Sequence, residues 1–473
     1  MKKLLQWLQA ALFCALLAVM IWGVSDVMER KASRIKLKPF FDRAAEYDVL
    51  FVGDSHSLNG IFPMELWRYY GIAGYNLASI GNTLPVTYWS LINALDYAEP
   101  KMVVIGIKDV EKHYKLTGSS SDVHTAFDAY PLSLNKIRAI EDLMNDPYAM
   151  DDAGDLYKDL RWEYYFTLGK YHARWNELTQ ADIAPSYNRQ KGAEMAVNVA
   201  VPNDYDIIDE NQCAEEGGWG FDYLRRMIET CQSRGIDVML MHLPYPSTEE
   251  EQMAANAVYW IAEEYGIDYV DFVSIDQVVD YDTDCYDAFS HLNPSGARKV
   301  TDYIGRYIAD YYDMPDRRED PAYAHWNTDY ADYVQYKIGH LKNQSDLDDL
   351  LMLLHDDSFS VQMAVRSGAA CYQDEQILRL MHNIAREHVY EEDMFSKWSN
   401  SLFPLEELDT AAYAGDAYFV HVNRHTGEIT EYTGEAARAQ TAACFDGKQG
   451  EGMDVRILVT DEMTGKPAAA LCF

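Results

Sequence analysis

Asp48-Val49-Leu50-Phe51-Val52-Gly53-Asp54-Ser55-His56-Ser57 is an apolar run that stops abruptly at a glycine, an acid and two hydroxyls. A short run rich in β-branched and aromatic residues, polar on neither face, has the pattern of a parallel strand buried on both sides. Open α/β sheets bind their ligands just beyond the carboxyl ends of such strands. This places Ser55 at the mouth of a crevice, on a turn that Gly53 permits. The simpler alternative is a strand-to-helix turn in which Asp54 or Ser55 only caps the helix. Ser57 is the alternative hydroxyl nucleophile, Asp54 is expected to brace the turn, and His56 to lie in the first helical turn.

Strand and helix patterns alternate outward from this stretch. Strands are expected at Tyr75–Ala78, Lys101–Gly106, Ile236–His242 and Ile267–Phe272, with helices at Pro63–Tyr70, Pro85–Tyr97, Phe221–Arg234 and Pro294–Tyr312. Ser247 and Glu250 have capping-box spacing for a further helix that stops at Gly266. The expected fold is α/β: a doubly wound, flavodoxin-like parallel sheet over residues 46–315. A long helical insertion interrupts it at about 113–218. Trp162, Tyr164 and Tyr165 within the insertion suit either core packing or stacking on sugar rings. The polar, proline-bracketed segment Met314–Pro321 reads as a boundary. Residues 330–473 read as a smaller α+β module with a helix at Asp346–His355, a strand at Phe359–Val365, a helix at Asp374–His388 and two terminal hairpins. A polysaccharide-binding role and a purely structural one are both open for this module.

A second segment gives the first its chemical meaning: Asp287-Ala288-Phe289-Ser290-His291-Leu292-Asn293-Pro294. Asn293 suits a helix N-cap and Pro294 the first helical position, so His291 falls on a loop ahead of a helix. A serine hydroxyl becomes a useful nucleophile when an imidazole removes its proton. A carboxylate must then fix the tautomer of that imidazole. Ser55 and His291 supply the first two groups, and Asp287 is the nearest acid.

These blocks resemble the SGNH, or GDSL-type, hydrolase superfamily. Gly53-Asp54-Ser55-His56-Ser57 is similar to its nucleophile block. Asn76-Leu77-Ala78-Ser79-Ile80-Gly81-Asn82 is similar to its second block, and His291-Leu292-Asn293 with Gly296 to its last. The resemblance covers roughly residues 47–312. It implies a catalytic Ser55–His291 pair and an oxyanion hole from Ser55 and Gly81, helped by Asn82. Where the superfamily places its acid three residues before the histidine, this chain has Ala288, which leaves Asp287 or Asp284 as the acid. Where its third block carries asparagine, this chain has Lys108. In character the chain looks most like membrane-anchored bacterial proteins that move acyl groups on cell-surface polymers, of the D-alanyl-transfer and O-acetylation types. The implied function is that of a serine esterase or O-acyltransferase acting on an acylated glycan or small ester. The alternative is an inactive scaffold that binds polysaccharide or a membrane acyltransferase partner.

A formal charge of -36 over 473 residues argues against nucleic acid as a partner, since phosphates call for Lys and Arg. It also disfavours docking on anionic lipid. The seven cysteines have no C-x-x-C spacing, and their redox state is not legible. Residues 1–45 are expected to form an N-terminal membrane anchor and a juxtamembrane segment. Leu4–Gly23 is uncharged and long enough to span a bilayer, and no A-x-A cleavage site precedes Ser25. The charges after the span would favour a cytoplasmic location, whereas the resemblance implies an extracytoplasmic catalytic domain on a single-pass anchor. No metal or cofactor is expected: there is no Gly-rich phosphate loop and no His-Glu-x-x-His, and Asp346, Asp348 and Asp349 lack calcium-loop spacing. His242 ends an apolar strand and reads as a satisfied rim histidine.

Overall fold

A computed structural model describes residues 2–29, 31–113, 118–145, 161–184, 189–275, 278–385, 416–445 and 454–473. The chain is mixed α/β, with a parallel sheet followed by a separate antiparallel one. The parallel sheet contains β1 (Val49–Val52), β2 (Gly74–Asn76), β3 (Met102–Gly106), β4 (Asp237–His242) and β5 (Asp268–Asp271), in the order β2-β1-β3-β4-β5. Every residue of β1 and β3 is buried, which is why both read as unbroken apolar runs. Leu50 and Phe51 are fully enclosed, each worth about 2 kcal/mol of transfer free energy.

The helices Pro63–Tyr70, Leu84–Ala94, Trp219–Ser233, Glu249–Tyr265 and Pro294–Tyr311 join or follow these strands. Their signals are local. Gly71 and Gly266 end their helices in the left-handed conformation. The Asn293 side chain accepts from the amides of Ser295 and Gly296. One expectation is corrected: the capping box uses Thr248 and Glu251, not Ser247 and Glu250. The run of acids after Thr248 supports either register, and Ser247 is instead buried with its hydroxyl on the Tyr245 carbonyl.

Arg317 pins the polar segment after the last of these helices back onto the sheet, with a two-point fork on Asp48 (2.9 Å each). The helix Ala324–Asn343 follows. Its Trp326 and Tyr333 belong to the core of the parallel sheet, whereas Val334, Ile338 and Leu341 belong to the second core. That second core lies on the antiparallel sheet, made of β6 (Phe359–Val365), β7 (Tyr418–Asn423), β8 (Glu428–Thr433), β9 (Val455–Asp461) and β10 (Lys466–Cys472) in the order β10-β9-β6-β7-β8. Lys337 ties the units together by reaching both Glu65 (2.9 Å) and Asp356 (2.6 Å). The expected helix Asp374–His388 is seen as Glu375–Ile384, and 386–388 fall outside the described residues. No disulfide joins any cysteines among the described residues.

Candidate active site

Backbone proximity builds the turn that carries Ser55. β1 and β3 are adjacent, and Gly53 and Gly106 follow one another across their ends. A Cβ on Gly53 would fall 2.4 Å from Ser57 Oγ, and one on Gly106 would fall 2.5 Å from it. Only glycine at both positions lets the helix Ser55–Gly60 settle onto the strand ends. Ser57 thereby becomes a packing residue, buried beneath the turn. Ser55, one turn-step earlier, faces outward and is partly exposed. Asp54 caps the helix through Ser57 N (3.5 Å). Asn76 clamps it from beside β1, donating to the carbonyls of Ser57 (2.7 Å) and Ile61 (3.0 Å).

The histidine arrives on the loop between Cys285 and Leu292, which pair as an isolated bridge. Asp287 organises this loop. Its Oδ1 accepts from the amides of Phe289 (2.9 Å) and His291 (3.2 Å), and its Oδ2 lies 2.8 Å from His291 Nδ1. Ser290 takes a left-handed φ of 59°, and this tight turn accommodates a spacing of four between acid and base. His291 Nε2 then lies 2.8 Å from Ser55 Oγ, bridging 236 residues of sequence. The three side chains form one hydrogen-bonded line, with His291 18% and Asp287 30% exposed.

Asp284, the other acid expected from sequence, is placed elsewhere. Fully buried, it pairs with Lys299 (2.5 Å) and accepts from the Asp280 amide (2.8 Å). Burial would raise its carboxyl, but the Lys299 charge and hydrogen bond hold it below the ordinary carboxylate range. Asp284 supports the base of the loop, its carbonyl receiving the Asn293 amide (3.0 Å).

Gly81 and Asn82 sit on the loop after β2, which passes the Ser55 turn where the Ser79 amide donates to the Gly53 carbonyl (3.2 Å). Gly81 is exposed with φ 66° and packs beside Asp122. Asn82 is buried, and its Oδ1 meets no partner among the described residues. No hydrogen bond joins either residue to Ser55 or His291. Lys108, on the loop after β3, lies 3.5 Å from Asp54 Oδ2 and over the ring of Tyr245.

Sequence reasoning missed what His56 does. Its ring stacks on His291, with centroids 4.1 Å apart and planes at 17°. Its Nδ1 meets Asp54 Oδ2 (2.9 Å) and its Nε2 meets the Phe289 carbonyl (2.9 Å). Both nitrogens face acceptors, so both bonds form together only when both nitrogens carry protons. Burial works to raise the Asp54 carboxyl, but His56, then Lys108 and His291, hold it well below the usual range. The signal in the sequence was the adjacency of Asp54 and His56 to Ser55; nothing there revealed the stacking. For His291, burial and then His56 push the imidazole down from its ordinary value, against the pull of Asp287.

The insertion meets the site through its last, extended stretch. Asn198 donates to the Tyr286 carbonyl (2.7 Å), and the amides of Ala200 and Asn203 donate to the carbonyls of Cys285 and Ala288 (3.0 Å each). Its aromatic cluster has other partners. Tyr164 is buried against the ring of His124, Tyr165 donates to Glu141, and Trp162 covers Gly169. His242 is also accounted for: buried, it holds Asp271 at 2.8 Å across the ends of β4 and β5. A scan against protein-family models finds no match to this chain, and no curated protein matches it.

Proposed function

We propose that the chain is a serine-dependent ester hydrolase or O-acyltransferase of the SGNH type. The carrying observation is the unbroken line Ser55 Oγ–His291 Nε2 and His291 Nδ1–Asp287 Oδ2, at 2.8 Å for each contact. Neutral His291, its Nδ1–H directed at Asp287, takes the Ser55 proton on Nε2 as Oγ attacks an ester carbonyl. The bond from carbonyl carbon to leaving alcohol then breaks, His291 returns its proton to that alcohol, and the acyl group stays on Oγ. Water or a glycan hydroxyl repeats the sequence in reverse, giving hydrolysis or transfer. The Ser55 amide, at the first position of its helix, and the Gly81 amide are the oxyanion donors, with Asn82 assisting.

The strand order supports a doubly wound, flavodoxin-like unit, in which the crevice at the sheet's carboxyl edge is the usual ligand site. One helix, Lys3–Met28, is long and apolar enough to cross a membrane. It is the single-pass anchor of this reading, which places the catalytic domain outside the cytoplasm, on acylated cell-surface polysaccharide, beside a membrane acyltransferase. The rival is an inactive scaffold binding polysaccharide or that acyltransferase. Lys108 favours it, standing where an amide side chain would complete the oxyanion hole. A fluorophosphonate probe separates the two. The wild type is expected to label and to cleave an acetyl ester, and Ser55→Ala to do neither. Labelling that persists in Ser55→Ala removes Ser55 as nucleophile, and an unlabelled wild type leaves the scaffold.

A further inference from the structure

The insertion does more than approach the site loop, because its other end grips the N-terminal helix. Residues 3–22 of that helix, a run of 20, are all exposed; Gly23 and residues 25–27 are partly covered, and Met28 is buried. Twenty residues at roughly 1.5 Å each span about 30 Å, the thickness of a bilayer's hydrocarbon core. The helix is therefore bare over one bilayer thickness and seated on protein immediately below.

The seat consists of polar contacts from the insertion. Ser25 Oγ lies 3.1 Å from Thr167 Oγ1, and Arg174 donates to the carbonyls of Met28 (2.6 Å) and Glu29 (2.7 Å). Arg34 joins Asp26 (2.7 Å) to the Asp182 carbonyl (3.2 Å). Each gripping residue has a large apolar neighbour in sequence that stays exposed. Phe166 precedes Thr167 and is 46% exposed, Trp175 follows Arg174 at 72%, and Ile183 follows Asp182 at 65%. The gripping residues hold the segments that carry these side chains against the last turns of the helix and the residues just after it.

We propose that Phe166, Trp175 and Ile183 form a collar that rests in the interfacial layer of a lipid bilayer around the emerging helix. The proposal rests on the reading of that helix as a membrane span. Aromatic side chains are favoured at this depth because their rings prefer the boundary between acyl chains and headgroups. The occupant is lipid rather than a protein partner because the segments carrying these residues, around Thr167–Tyr171, His172–Asn176 and Gln180–Ile183, pack on the same helix that carries the bare span. Binding here is apolar rather than electrostatic. Among the described residues, the cations that form the seat are already spent on acids: Lys31 and Arg174 on Asp182 (3.0 and 3.1 Å), and Arg34 on Asp26. A zwitterionic bilayer therefore suffices.

The test uses the full chain reconstituted into phosphatidylcholine bilayers with and without brominated acyl chains. Trp7 and Trp22, exposed on the helix, report on the span. The differences between wild type and each of Trp7→Phe, Trp22→Phe and Trp175→Phe isolate these three signals from the rest of the chain's ten tryptophans. Bromination is expected to reduce the Trp7, Trp22 and Trp175 signals by roughly twofold or more, with no dependence on salt. Quenching of Trp7 and Trp22 without quenching of Trp175 overturns the collar and leaves the span standing, the result expected if a protein partner covers this face. Quenching of none of the three overturns the span and the collar with it.

Discussion

His291 and His242 each hold an aspartate through Nδ1 at 2.8 Å, and both stand at the carboxyl edge of the parallel sheet. Their surroundings differ in origin. His242 and Asp271 end two neighbouring strands and are register partners, so sheet pairing brings them together and buries them at 3% and 2% exposure. His291 and Asp287 share a loop whose own turn creates the pair and leaves its far side open to Ser55 and solvent. A buried His–Asp pair made by register is a structural joint, whereas one made by a loop can offer a second nitrogen to a reactant. The difference lies in access rather than in the pairing.

The comparison breaks most sharply at the hydroxyl. If Ser55 is the nucleophile and His291 its base, Ser55→Ala or His291→Ala is expected to lower the rate of probe labelling by at least about a thousandfold, since a nucleophile and its base act as a unit. Ser57→Ala, under the turn, should leave it within about threefold. A large loss in Ser57→Ala with labelling retained in Ser55→Ala would exchange their roles.

The acids come next. Asp287→Asn removes the carboxylate that orients His291 and is expected to cost about 10²- to 10⁴-fold in labelling rate. Asp284→Asn removes the carboxylate that meets buried Lys299 at 2.5 Å, expected to cost about 3–5 kcal/mol of stability while labelling of the folded fraction persists. Denaturation midpoints and labelling rates measured together distinguish the two. If the two effects are reversed, Asp284 is the functional acid.

The register-made pair should respond in the opposite currency. His242→Ala leaves a cavity and strips the ring from Asp271, whose carboxylate keeps the Ser274 hydroxyl and the Val273 amide, an expected loss of about 2–5 kcal/mol, with labelling of the folded protein changed less than about twofold. A catalytic defect without a stability defect would move His242 into the reaction and erase the contrast.

Strand runs and caps were legible because their causes are local: β1 and β3 show burial on both faces as unbroken hydrophobicity, and Asn293 and Gly266 act on their own turns. The helix Ala324–Asn343 went unread because it serves two cores at once, which blurs any single apolar stripe. The choice between Asp287 and Asp284 was illegible for a related reason. Lys299, which claims Asp284, lies 15 residues away on a helix whose face only packing determines. The His56 stack likewise depends on bringing together segments 235 positions apart.

That stack carries the smallest expected effect and tests the loop pair most finely. His291 accepts a proton only when neutral. The groups acting on it are Asp287, which pulls its imidazole up, Asp54, which pulls the same way, and His56, which, after burial, pushes it below 6.5. Activity should therefore be complete at neutral pH and fall as pH drops through a value under 6.5. His56→Asn removes the opposing ring and leaves both carboxylates, so the acid limb should move to higher pH by about one unit or less. The rate at pH 8 should change by less than about threefold. A merely structural His56 would lower the rate uniformly across the profile. An unmoved or lowered limb would mean that the stacked ring packs against the base without tuning it.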